Sequence, residues 1–287
     1  MGLVVNKILV PLDFSQASVD ALDYAVRIAE IFKSEIILLH VVETYEFNSS
    51  YRDDETAREI IQMGLNKKFD EIMTEHSNSE DLKVSHAHRV GKIYNQINLY
   101  AEEESCDLIV IGTHGTSSNS KFKKFMLGSN ANRVIHGAPC PVLTVKNKNH
   151  SINFNKILLP IDITKETEQK VAFAIAIAKT FDSEIHILAA SSYIDEYQDN
   201  ISKLTLKLNE VADEVTAKGI KCFTCIERNE NVPHAIFEYS EKNDIDLVVI
   251  MTRQEKKWEE FLLGSNAKKV IVGSDTPILS LQPKEGK

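Results

Sequence analysis

The chain has 287 residues, is 43% hydrophobic and 26% charged, and carries a net charge of −9 with a pI near 5.5. The length fits two domains of ordinary size, the composition excludes a disordered chain, and the acidity argues against nucleic acid or an anionic membrane as the main partner. Four cysteines do not make a disulfide framework in a chain this long, and neither an export signal nor a run of ~20 apolar residues is legible, so a cytoplasmic protein with free thiols is expected.

Residues 8–43 begin with an apolar run ending in Pro11-Leu12-Asp13, followed by an amphipathic stretch, a turn at Phe32-Lys33-Ser34-Glu35 and a second apolar run. Strand, helix and strand in that order predict a right-handed βαβ unit. Near-continuous Ile, Leu and Val in the strands predict a parallel sheet with helices on both faces. A charged helix is predicted over 52–76, where Ile60, Ile61, Leu65, Phe69 and Ile72 recur at helical spacing, so that this stripe packs on the sheet and the rest faces water. A strand Leu82–Val90, a helix near 92–104 and a strand over 107–112 follow. After a polar loop, Gly128-Ser129-Asn130-Ala131 opens a last helix, Pro141–Val145 is the fifth strand, and 146–154 reads as a linker.

The second half repeats this series. Residues 157–192 align with 8–43 without a gap, at an offset of 149. A helix over 196–218, a strand Ile220–Glu227, a helix over 232–242 and a strand over 246–251 come next, the offset falling to 139 at that strand because the middle is ten residues shorter, and Gly264-Ser265-Asn266-Ala267 and Pro277–Leu281 follow. The expected fold is α/β, with domains 1–148 and 154–287 each a doubly wound five-stranded parallel sheet of order 3-2-1-4-5.

Open parallel sheets take ligands beyond the carboxyl ends of their strands, at the switch point between the first and fourth strands. Asp13 ends the first strand and Gly112 the fourth, so the two face one crevice. Gly112 and Gly115 are read as glycines that allow positive φ and close approach to an anion. Gly128, Ser129 and Asn130 place N–H groups and short polar side chains at a helix N-terminus, where negative charge is favoured.

Together with Asp107-Leu108-Ile109-Val110 before the loop, these residues resemble the universal stress protein family, whose nucleotide-binding members carry Gly-x2-Gly-x9-Gly-(Ser/Thr) after the fourth strand and an Asp at the end of the first. The resemblance covers essentially the whole chain as a tandem pair. It implies that Pro11 and Asp13 line the adenine and ribose side, that Val41 after the second strand contacts adenine, and that Gly112, Gly115, Gly128, Ser129 and Asn130 surround ribose and phosphates. It also implies ATP as ligand, with or without Mg²⁺, and an intramolecular pseudo-dimer in which the fifth strands Pro141–Val145 and Pro277–Leu281 pair. Such pairing would cover two sheet edges; further association into a homodimer stays open.

Each half departs from the family pattern. Twelve residues separate Gly115 from Gly128, where the pattern has nine. The second half keeps nine, yet has Met251 and Gln254 in place of the glycines. Their side chains are expected to fill the phosphate space, leaving a degenerate scaffold with at most an anion site at Asp162, Arg253, Gly264, Ser265 and Asn266.

The remaining candidates have ordinary readings. His114 is as readily a loop-structuring residue as a phosphate contact. His86 and His88 share one strand face but lack a third metal ligand. Cys222 and Cys225 have redox spacing but fall within a strand, away from a helix N-terminus that would activate a thiol. Lys121, Lys123 and Lys124 make a basic loop that is most simply solvated. No P-loop, nucleophile–base pair or metal cluster is legible. The reading is a binding and regulatory module with no catalytic residue. The alternatives are an interaction or structural protein without nucleotide, favoured by the long 116–127 loop, and a slow ATPase.

Overall fold

The structure is a computed structural model and describes residues 3–43, 55–76, 81–113, 129–147, 152–162, 166–191, 198–228, 231–252 and 265–283. The chain divides into two compact units, the first made by residues 4–147.

In the first unit the described elements are β1 (Lys7–Pro11), α1 (Gln16–Phe32), β2 (Glu35–Val42), α2 (Glu55–His76), β3 (Val84–Val90), α3 (Ile93–Glu103), β4 (Leu108–Gly112), α4 (Ser129–Gly137) and β5 (Val142–Val145). Their strand order is β3-β2-β1-β4-β5, every described neighbour parallel. In the second unit β6 (Lys156–Ile161), α5 (Glu166–Phe181), β7 (Glu184–Ser191), α6 (Gln198–Ala217), β8 (Cys222–Arg228), α7 (Val232–Lys242), β9 (Leu247–Met251), α8 (Ser265–Gly273) and β10 (Ile278–Leu281) repeat the series. The order is β8-β7-β6-β9-β10, again parallel. This is the doubly wound α/β fold of order 3-2-1-4-5 expected for each half.

Successive strand residues point to opposite faces. Ile8, Leu9 and Val10 in β1, and Ile157, Leu158 and Leu159 in β6, are all fully buried, so helices cover both faces of each sheet. Burial of each such side chain contributes about 1.5–3 kcal/mol. In the first unit α1 packs on β1, β2, β4 and β5 and touches α2, while α3 packs on β2 and β3 and against α4.

Local signals explain why the two halves turn alike. The carbonyls ending α1 and α5 are closed by Lys33 and Asp182 in the left-handed region, with Ser34 N–H donating to Ala29 O and Ser183 N–H to Ala178 O. Ser105 and Asp244 adopt the same region after α3 and α7. The Asp opening the fourth-strand motif staples strand starts: Asp107 Oδ2 accepts from the N–H groups of Asn6 (2.7 Å) and Lys7 (3.1 Å), and Asp246 Oδ2 from that of Lys156 (2.9 Å). These bonds lie at the amino ends of the strands, opposite the crevice, so the motif's acid is structural.

Three expectations are modified. Phe154, at the end of the expected linker, is buried and packs edge-on against Phe181 at 5.1 Å, so the second core begins there. The third strands begin at Val84 and Cys222, later than expected. In α2, Phe69 is fully buried while Leu65 and Ile72 are only partly so, and the side chains of Ile60 and Ile61 lie outside the described residues.

Candidate functional site

In the first half β1 and β4 lie side by side, Ile8 opposite Leu108 and Leu9 opposite Ile109, which brings the ends of both strands to one edge of the sheet. Pro11 is buried and Asp13 exposed at this edge. Asp13 Oδ1 accepts from Ser15 N–H at 3.0 Å and from Ser15 Oγ–H at 2.5 Å. Ser15 Oγ also accepts from Ser18 N–H at 3.3 Å and so caps α1. One serine thus both starts the helix and orients the carboxylate. Val41 lies inside β2 rather than after it, opposite Arg89 of β3, and is partly exposed.

Gly112 ends β4 as expected, but the reason for glycine there is different. Positive φ among the described glycines occurs at Gly91 and Gly219, not at Gly112. A β-carbon at Gly112 would stand 2.5 Å from Ala17 O and 2.8 Å from Ser18 N. The missing side chain admits the first turn of α1, as in the close helix–strand packing that one glycine serves in dinucleotide folds. Met251 holds the matching place at the end of β9.

Ser129, exposed, and Asn130, partly buried, open α4. Gly115 and Gly128, with His114, Lys121, Lys123 and Lys124, lie outside the described residues, as do Arg253, Gln254 and Gly264. In the second half Ser265 begins α8 and Asn266 is exposed.

Two features of the first mouth escaped the sequence reading. His40 Nδ1 donates to Leu12 O at 2.7 Å, which places the proton on Nδ1 because a carbonyl only accepts. Phe14, beside Asp13, has φ of 62° and its ring lies 4.9 Å from His40. The gap-free alignment held the signal, since it sets Ile163 and Ala189 opposite Phe14 and His40.

The mouth of the second half is built otherwise. Asp162 is exposed, like Asp13, but its Oδ1 and its main-chain oxygen accept from Thr167 Oγ–H, at 2.9 and 3.1 Å. Lys170 of α5 is buried, and its ammonium donates to Pro160 O at the end of β6. The matching residue of α1 is Ala21, fully buried. A lysine within the apolar run Val171–Ile177 and its flank was the visible sign of this difference.

Elsewhere the titratable groups have structural surroundings. Burial pushes the thiols of Cys106 and Cys140 up to about 12 and that of Cys222 to about 11, so none is primed as a nucleophile. Cys222 and Cys225 both lie in β8. His86 packs at 5.1 Å from Phe69. In the second half the buried His186 joins Tyr239 Oη and Glu184 Oε1, each at 3.0 Å, and stacks on Phe223. Burial works to raise the pKa of Glu184, but hydrogen bonds from Lys221 and His186 outweigh it and hold the carboxyl below its ordinary value. No group of three or more His, Cys, Asp or Glu arranged for a metal occurs among the described residues. No helix among them is long and apolar enough to cross a membrane.

Comparison with known proteins agrees with the repeat. The universal stress protein family model matches residues 5–146 and again 153–281. A universal stress protein from Methanocaldococcus jannaschii is 31% identical over 172 residues, which cover 52% of this chain and 99% of that protein. A crystal structure of a universal stress protein from Archaeoglobus fulgidus superposes with a TM-score of 0.78 at 22% identity, covering 98% of this chain and 99% of that one. Another universal stress protein from that organism, solved in complex with dAMP, is 16% identical and covers 44% of this chain and 92% of that one, with a TM-score of 0.38. With the family matched twice along its length, this chain belongs to the universal stress protein family as a tandem two-domain member.

Proposed function

We propose that the first half binds an adenine nucleotide, ATP above all, and that the second half is a scaffold that has lost this capacity, the whole acting as a regulatory module in a stress response rather than as an enzyme. The observation that carries the reading is Asp13, an exposed carboxylate oriented by Ser15 at the switch point of the first sheet. Ligands of doubly wound folds sit in this crevice, and a carboxylate there can accept from ribose hydroxyls. Gly115, Gly128, Ser129 and Asn130 are assigned to the phosphates, Pro11 and Val41 to the base, and Gly112 to the helix packing that shapes the crevice. Pairing of the two halves through their fifth strands, and a cytoplasmic setting, belong to the same proposal and rest on the family resemblance.

In the second half Met251 replaces a packing glycine and Lys170 brings a cation to the end of β6. Any anion site at Asp162, Arg253, Ser265 and Asn266 is secondary. The alternative of an interaction protein without nucleotide keeps one support in the sequence, the twelve-residue interval between Gly115 and Gly128.

Titration with a fluorescent ATP analogue tests the reading. One saturable site per chain is expected, lost in Gly128→Val and Asp13→Ala. Absence of saturable binding, or binding unchanged in both variants, would leave the interaction protein as the better account. Incubation of bound ATP with and without Mg²⁺ tests the non-enzymatic part, with intact nucleotide as the expected recovery.

A further inference from the structure

Helix α2 meets the first half through side chains that converge on the binding loop. Phe69, fully buried, places its ring 5.7 Å from that of Phe14. Lys68 Nζ stands 4.9 Å from the centroid of the same Phe14 ring. Phe14 in turn packs against His40, which donates to Leu12 O. One further tie, His76 Nδ1 to Asp23 Oδ1 at 2.7 Å, joins the end of α2 to α1.

The backbone on both sides of Asp13 is thus held, on one side by His40 of β2 and on the other by Phe69 of α2. Leu12 is held by its carbonyl and Phe14 by its ring. The positive φ of Phe14 is a conformation that a bulky residue keeps only where its surroundings impose it, so removing those surroundings releases the loop. The second half shows that the fold does not require this arrangement. There Ile163 and Ala189 stand at the corresponding positions, and α6 docks with an aliphatic stripe of Leu204, Leu208, Val211 and Val215, all buried. Much of α2 remains exposed, Met63 at 71% for example, and an element with few buried contacts has low local stability.

We propose that His40, Phe14 and Phe69 form a strut that positions Asp13 and couples occupancy of the first crevice to the docking of α2, which makes α2 the element that responds to ligand. This rests on the nucleotide reading of the first half. His40, Phe14 and Phe69 are positioning residues: they act through the loop that carries Asp13. Coupling of this kind is reciprocal, so a ligand that fixes Asp13 fixes α2, and loosening α2 weakens the ligand.

Hydrogen exchange on the full chain with and without saturating ATP provides the test, together with ATP affinities of four variants. Amides of α2 are expected to exchange about fivefold more slowly with ATP, and those of α6 at an unchanged rate, within the range of typical coupling. His40→Ala is expected to weaken ATP about tenfold, and His40→Asn, whose amide N–H can reach Leu12 O, to restore affinity to within about threefold. Phe69→Ala should weaken ATP, while Leu208→Ala in α6 should not. Exchange in α2 that is unchanged while wild-type chain binds ATP saturably, or undiminished affinity in His40→Ala, overturns the coupling alone. Absence of saturable ATP binding by the wild-type chain overturns the nucleotide reading and the coupling together. The exchange measurement uses the wild-type chain and so stands even if Phe69→Ala does not fold.

Discussion

At the end of β1 the chain leaves Asp13 exposed, oriented by Ser15 and flanked by Leu12, whose carbonyl bonds to His40, and by Phe14, which packs on His40 and Phe69. At the end of β6 the corresponding Asp162 is tied to Thr167, and the ammonium of Lys170 donates to Pro160 O. The strand order is the same and the turns after α1 and α5, and after α3 and α7, share left-handed residues, so the divergence at the two mouths is built on a common frame. A repeated fold can keep its core and change the bonding at the mouth of its sheet, because the core is set by strand and helix burial and the mouth by a handful of polar and aromatic residues.

The comparison can be broken most forcefully at the helix that covers each sheet. Phe69→Ala is expected to cost about 3–5 kcal/mol, measured by urea unfolding, because it removes the one fully buried aromatic of α2. A loss below about 1 kcal/mol would mean that α2 docks through other contacts.

Gly112→Ala comes next. Its new β-carbon meets main-chain atoms of α1, which cannot rotate away, and about 1–3 kcal/mol of stability should be lost. Unchanged stability with lost nucleotide binding would return Gly112 to the role of a ligand contact. Lys170→Met should cost about 1–2 kcal/mol, since it removes the ammonium from Pro160 O while keeping apolar volume. An increase in stability would show that the buried lysine is a burden rather than a fastening.

The smallest effect concerns Glu184, whose folded pKa is lowered. Stability from its bonds to Lys221 and His186 is fully present above the unfolded carboxyl value of about 4.3 and is lost as pH falls through the lower folded value. Glu184→Gln should therefore flatten the acid limb of a stability–pH curve, by less than about 1 kcal/mol. An unaltered acid limb would assign the acid sensitivity to other groups.

Much of the architecture was legible because continuous aliphatic runs and a gap-free internal repeat leave little choice of topology. The crevice acid Asp13 and the family itself could be read from residues in order, whereas the cap made by Ser15 emerged only with the structure. Gly112 does not have the positive φ expected of it, and its close approach to Ala17 and Ser18 of α1 was not legible because that helix is distant in sequence and close only in the fold. His40 and Lys170 were missed for a related cause. A histidine near the end of an apolar strand and a lysine near the start of an apolar helix are common, and only the atoms they reach, Leu12 O and Pro160 O, distinguish them.

The claim that the two mouths differ in function is tested most directly by a crystal structure of the full chain grown with ATP. The expected result is nucleotide density in the first crevice, with ribose against Asp13, and none at the end of β6 beside Asp162 and Lys170. Nucleotide in the second crevice, alone or with equal occupancy in both, would contradict the account.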